Sequence, residues 1–341
     1  FPTRRSSDLQ LAVNWLNPAD QSVIETTLGY EQVAVDLTAN LAKNEPDSYV
    51  KQTLDFALLE DFDHLYRYAC LYDYIEGGDP EVIVQGKTDV KPGRPTSIEH
   101  RHPDDSMRKH YDKDSADIKT KMNYNTIVSG EQQTMLFYRS HGFMYPDAIA
   151  RQLYAEIAEI EEQHVTQYGL LGDPRETMLE KMAMIELNEA YNYFSCAETE
   201  SDPRIRSIWE MFARMEITHF AMCAELIRKH EGRDIRDIMK ADVIEPLIVF
   251  ESNKDYVNRV IDEQLDLSPH NMEFVRLRDL PDDWASFAYQ RVMNAKGVPS
   301  EDVVGKAVRD LAERDQAENI RRVKQEMARR VEKGMAAVPA R

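Results

Sequence analysis

"GEQQTMLFYRSHGFMYPDAIARQLYAEIAEIEEQHVTQY", residues 130–168, reads as two helices broken at His-Gly-Phe-Met-Tyr-Pro-Asp. Glu161 and His164 stand one turn apart on a single helical face. Glu131 lies thirty residues before Glu161, so a hairpin folded near Pro146 brings the two level on antiparallel helices. Ile127, Met135 and Tyr138 flank Glu131, while Tyr154, Ile157, Val165 and Tyr168 flank Glu161 and His164. Both stripes are apolar and so face a core.

The layout recurs in both directions along the chain. Downstream, residues 178–230 form a hairpin with its midpoint at Ser201, in which Glu186 precedes Glu216-x-x-His219 by the same thirty residues. Met178, Met182, Ala183 and Tyr193 run with Glu186; Ile205, Ile208, Phe212 and Phe220 run with Glu216 and His219. Upstream, "YEQVAVDLTANLAKNEPDSYVKQTLDFALLEDFDHLYRY" (30–68) repeats Glu-Gln, Pro-Asp and an acidic-x-x-His-x-x-x-Tyr ending at an offset of 100. Here Glu31 precedes Asp61-x-x-His64, with Leu54, Leu58, Leu65 and Tyr68 as its stripe.

An ionised carboxylate buried alone protonates or finds a partner. Glu131, Glu161, Glu186 and Glu216 with His164 and His219 have no Lys or Arg on their stripes. Two divalent cations would balance four carboxylates, and mixed carboxylate and imidazole ligation suits iron or manganese better than zinc or calcium. Buried, hydrogen-bonded structural polar groups are the alternative reading. Glu99-x-x-His102 shares the spacing but sits in a Pro-rich connection, lacks an apolar stripe and has Ala69 thirty residues upstream; it reads as a solvated loop.

In these residues the chain resembles the ferritin-like di-iron carboxylate superfamily, over roughly residues 115–231. That bundle takes one Glu from each of two helices and Glu-x-x-His from each of the others. The resemblance implies Glu131 and Glu186 as single ligands and Glu161/His164 and Glu216/His219 as paired ones. Glu189 matches the extra glutamate of rubrerythrin-like sites, with an ordinary helix glutamate as the alternative. A rubredoxin-like iron centre is excluded, because Cys70, Cys196 and Cys223 form no CxxC pair. The N- and C-terminal additions argue against a ferritin cage.

The first hairpin leaves three readings open. It is a degenerate copy packed on the bundle, a contributor of Glu31, Asp61 and His64 to a second site such as one across a dimer, or a replacement for one of the other hairpins in the site itself. An odd number of hairpins invites a homodimer. Tyr138, Tyr168 and Tyr193 stand within a turn or two of ligand positions, as outer hydrogen-bonding groups or radical carriers, or as plain core tyrosines. "MLEKMAMIELNEA" and Cys223 read as core filling.

The bulk numbers set bounds. With 341 residues, 42% hydrophobic, 30% charged and few Gly or Pro, the composition is that of a soluble helical protein. A net charge of −19 disfavours nucleic acid and anionic membranes, and no apolar run approaches a membrane span. Gly-rich phosphate loops, GxSxG and a Ser-His-Asp arrangement are absent. The expected class is all-α: an adapter-derived artefact at 1–9 ("FPTRRSSDL", with the native start lost), an N-terminal hairpin over 10–75, a connecting loop over 76–111 with "EVIVQ" as a short strand, a di-metal bundle over 112–231 and a helical extension over 232–341. The extension reads as helices near 233–264, 282–296 and 300–334, the last charged nearly all round.

The functional expectation is a cytoplasmic oxidoreductase with two iron (or manganese) ions per chain, acting on dioxygen or peroxide with an external electron donor. Iron storage, oxygenation of an organic substrate and a metal-free helical scaffold are its rivals.

Overall fold

The computed structural model describes residues 20–105, 109–239, 244–249, 251–314 and 318–337; the stretch 1–9 lies outside them. Helix α1 (Val23–Lys43) starts at a capping box, Ser22 and Glu25 each accepting from the other's backbone N–H. Helix α2 (Ser48–Glu76) is capped by Asp47, which accepts from the N–H groups of Tyr49 and Val50, and ends at the left-handed Gly77. A short α3 (Pro80–Val84) follows where "EVIVQ" reads as a strand. Asp79 caps it and Pro80 fills its first position, and these start signals outweigh the β-branched run.

Helix α4 (Ile118–His141) leads to α5 (Ala148–Gly169), capped by Asp147 as Asp47 caps α2. The repeated Pro-Asp therefore does the same work in both hairpins. A third hairpin joins α6 (Met178–Thr199), with a Thr177/Glu180 capping box, to α7 (Pro203–Glu231), with Asp202 as cap and Gly232 at its end.

The C-terminal third departs from expectation. Within 233–264, the described helices are α8 (Ile235–Ile238) and α9 (Lys254–Gln264); Pro246 between them cannot donate a helical hydrogen bond. Strands β1 (Leu267–His270) and β2 (Glu273–Arg276) form an antiparallel hairpin that the sequence reading missed. Helices α10 (Ala285–Met293), α11 (Pro299–Val304), α12 (Arg309–Arg314) and α13 (Glu318–Ala337) complete the chain. Helix α13 is not apolar-free: Ile320, Val323 and Met327 form a narrow buried stripe. The fold is thus mostly helical, and no described helix is long and apolar enough to cross a membrane.

Hairpin α1–α2 packs against hairpin α4–α5. Thr27 Oγ1 lies 2.6 Å from the Tyr154 hydroxyl, and Tyr138 donates to Glu31. The Tyr68 ring sits 5.1 Å from Tyr138 and 4.9 Å from Tyr154 between centroids. Helix α2 is buried on every side from Thr53 to Tyr72, enclosed by α1, α5, α9, α11 and the loop after α3. The α6–α7 hairpin stands beside α4, attached through Met184 and Tyr191 against Met122 and Ile248, and through Thr126–Asn188 at 3.1 Å.

The loop over 87–105 is also not a solvated connection. Asp63 on α2 accepts from Gly93 N (3.1 Å), Thr96 N (2.7 Å) and Thr96 Oγ1 (2.8 Å), tying the loop down. At Gly93 any Cβ would come within 2.3 Å of the Leu59 carbonyl oxygen, so this approach requires glycine.

Candidate metal centre

Between the two packed hairpins, six side chains converge: Glu31 from α1, Asp61 and His64 from α2, Glu131 from α4, and Glu161 and His164 from α5. None is more than 4% exposed. The ligand atoms of Glu31, His64 and Glu161 all lie within 4.8 Å of one another, as do those of Asp61, Glu131 and His164. Glu161 joins the two groups: its Oε1 is 3.1 Å from His64 Nδ1 and its Oε2 is 3.3 Å from His164 Nδ1. Each hairpin supplies one Glu and one acid-x-x-His pair, because the spacing of thirty levels them across the Pro-Asp break.

Both imidazoles point Nδ1 inward and Nε2 outward. His64 Nε2 lies 2.8 Å from Glu99 Oε2, and His164 Nε2 lies 2.8 Å from Glu60 Oε2. Donating Nε2–H to these outer carboxylates leaves the Nδ1 lone pair for a ligand in the centre. Glu60 is held in turn by Arg101, at 2.6 and 2.8 Å, and by Arg94 at 3.2 Å. The ring centroids of the two histidines are 5.8 Å apart.

The electrostatics reflect crowded acid in a dry interior. Burial raises Glu31 and Glu131 well above the ordinary carboxylate range, with the Glu161 charge adding to it, and raises Asp61 to about 7. Burial also opposes ionisation of Glu161, but hydrogen bonding with Glu131 and the His64 and His164 partners hold it below its usual range. For His64 burial alone would lower the pKa; Glu99 and Glu161 outweigh it and raise it. Burial would likewise raise Glu60, and Arg101, His164 and Arg94 bring it down. The donor set also leaves Glu131 Oε1 buried without a hydrogen-bond partner. Four carboxylates, two imidazoles with inward Nδ1 atoms and one orphaned oxygen fit a pair of divalent cations.

The other sequence candidates are placed as follows. Glu186, Glu216 and His219 form a separate group on α6–α7, with His219 Nδ1 at 2.8 Å from Glu216 Oε2 and 3.6 Å from Glu186 Oε2. They do not join Glu131, Glu161 and His164, since α6 packs beside α4 and away from the gap between the first two hairpins. Glu189 is half-buried on α6 and is not one of that three-residue group. Tyr138 is buried with its hydroxyl on Glu31. Tyr168 is buried with its ring 5.4 Å from His164 and its hydroxyl without a partner. Tyr193 is half-buried on α6, 5.3 Å from the Phe212 ring.

Two outer carboxylates correct the sequence reading. Glu99 is 1% exposed and bonded to His64, so the 99–102 segment is no solvated loop; only His102 of that pair faces outward. Glu60 is not apparent from the pattern because it precedes the candidate ligand Asp61 by one residue and so points to another side of α2. A second acid inside the apolar run "FALLEDF" is the signal that could have found it. Comparison with protein-family models, with curated proteins and with solved structures found no match.

Proposed function

We propose that the chain is a ferritin-like four-helix bundle carrying a di-metal carboxylate centre of iron or manganese, and that it works as an oxidoreductase on dioxygen or peroxide with electrons from an external donor. The observation that supports it most is Glu161, set between two inward Nδ1 atoms whose opposite nitrogens are fixed by Glu99 and Glu60. Glu31, His64, Asp61, Glu131 and His164 would complete the ligand set. When bound, the ions would supply Lewis-acid and one-electron chemistry. The protein's own residues would hold and neutralise them, keep the histidine tautomers fixed and exclude water. Tyr138 would steady Glu31 through its hydroxyl.

Near-complete burial of all six ligands favours a small oxygen species over an organic substrate. A cavity of about 290 Å³ beside His100, Glu156 and Met293 is lined by none of them. Elemental analysis after anaerobic Fe(II) or Mn(II) loading tests the reading. Glu161→Ala is expected to remove about two ions per chain relative to the unaltered protein. Unchanged metal content would defeat the assignment and leave the metal-free scaffold.

A further inference from the structure

The 290 Å³ cavity is enclosed by elements that hydrogen bonds lock together. Gln152, Ala155, Glu156 and Glu159 recur at i, i+3, i+4 and i+7, so one stripe of α5 forms a wall. His100 and residues from the end of α10 to the start of α11 complete the lining. Gln290 Nε2 donates to Ile98 O at 2.9 Å and Asn294 Nδ2 to Ser97 O at 2.7 Å, hanging α10 on the turn that precedes His100. Glu156 accepts from Ser300 N at 2.8 Å and from Ser300 Oγ at 3.3 Å, which pins α11 to α5. The walls are therefore in place before any ligand arrives.

Two of the lining side chains are buried and three charged ones are open. His100 is 2% exposed and Glu156 is buried, whereas Glu159, Lys296 and Asp302 are exposed, so the cavity has a closed floor and a wet rim. At the floor, His100 Nδ1 is buried without a hydrogen-bond partner. Burial and the Arg101 charge keep this imidazole neutral, so it retains a lone pair for an incoming donor. A buried polar atom left unpaired costs free energy that a hydrogen bond from a ligand would return. The remaining polar groups set the sign of that ligand. Glu156, Glu159 and Asp302 stand against the single ammonium of Lys296. Even with Glu159 shared with Arg139 at 3.0 Å, acid outnumbers base, and the net charge of −19 draws cations to the surface as a whole. Between floor and rim, Ala155, Met293 and Pro299 present carbon.

We propose that this cavity binds a short aliphatic diamine, one ammonium at the floor on His100 Nδ1 and Glu156, the other at the rim on Glu159 and Asp302. The spacing of the groups selects a diamine: acceptors lie at both ends, and the apolar residues between them suit methylenes rather than a further polar group. Burial raises the Glu156 carboxyl to about 7, and an ammonium beside it would draw it back toward the charged form. None of the six residues of the candidate metal centre lines the cavity, so the proposal stands apart from the metal reading.

The test is a calorimetric titration of the full chain with 1,4-diaminobutane, with the histidine ring nitrogens followed by NMR in the same samples. The diamine is expected to bind saturably and to shift the one pair of ring resonances that His100→Gln deletes from the spectrum. His100→Gln and Asp302→Asn should each weaken binding about tenfold. Asp302 is exposed, so its variant reads the rim without disturbing the core. Ala155→Trp, also at an exposed position, fills the mouth with carbon and removes no polar group. It is expected to abolish binding while the urea midpoint stays unchanged, which separates a blocked site from a misfolded chain. The isosteric 1,4-butanediol and butanedioate should not bind. Binding that all three variants retain would place the diamine elsewhere on the acidic surface and overturn the proposal. Equal binding of butanedioate, His100 resonances unmoved by the diamine, or no binding at all would overturn it too.

Discussion

At the scale of single residues, the chain buries ionisable groups in partnered sets. Glu60 takes two arginines and a histidine, and Arg94, deep in the interior, is pulled down to about 10 by burial despite the Glu60 charge. His100 is the exception that makes a measurable prediction. Burial, aided by the Arg101 charge, lowers it to about 4, against an ordinary value near 6.5. The unfolded chain therefore binds a proton that the folded chain refuses over that window, so stability is held above the ordinary value and lost as pH falls toward the folded one. Each unit is worth about 1.4 kcal/mol, giving a loss on the order of 3 kcal/mol. Urea unfolding between those two pH values should show a shallower pH slope for His100→Gln than for the unaltered protein; equal slopes would remove His100 from the account.

At the scale of elements, the helix boundaries were legible wherever a local signal defined them. Asp47, Asp147, Thr177 and Asp202 are caps because their side chains answer the first free N–H groups, an interaction that needs only neighbours in sequence. The segment from Pro80 to Asp105 was harder. Its polarity reads as solvent-facing, yet Asp63 and His64 draw Thr96 and Glu99 inward from more than thirty residues away. Gly93 is the hinge of that approach. Gly93→Ala would push a Cβ into the Leu59 carbonyl, and the loop must retreat with Glu99. We expect a loss of about 1–3 kcal/mol in urea unfolding and at least about tenfold weaker metal binding by titration, as the His64 Nε2 partner drifts. Full retention of both would show that the loop can give way without disturbing the centre.

At the scale of the molecule, the proposed centre places two cations among four carboxylates and two imidazoles buried between two pairs of helices. Metal loading should then stabilise the fold itself: at 100 times the dissociation constant the gain is about 2.7 kcal/mol. Thermal unfolding with and without Fe(II) or Mn(II) reads this directly, and Glu161→Ala should show little of the shift. A melting temperature indifferent to metal in the unaltered protein would count against the centre.

The ligand types, their spacing of thirty and three, the Pro-Asp breaks and the helical class were all in the sequence, because each depends on residues within one hairpin. Which hairpins meet was not. All three carry equivalent ligand spacing and apolar stripes, so local physics leaves the pairing of 130–168 with 30–68 or with 178–230 undecided. Contacts made elsewhere settle it: Thr27 with Tyr154, Tyr138 with Glu31, and Asn188 with Thr126, which holds α6 to the side. The outer carboxylates were hidden for the same reason, since Glu99 becomes a partner of His64 only once the loop is folded onto α2. Sequence determined which acid and histidine residues each hairpin presents; long-range packing, which no local pattern encodes, decided which of them meet.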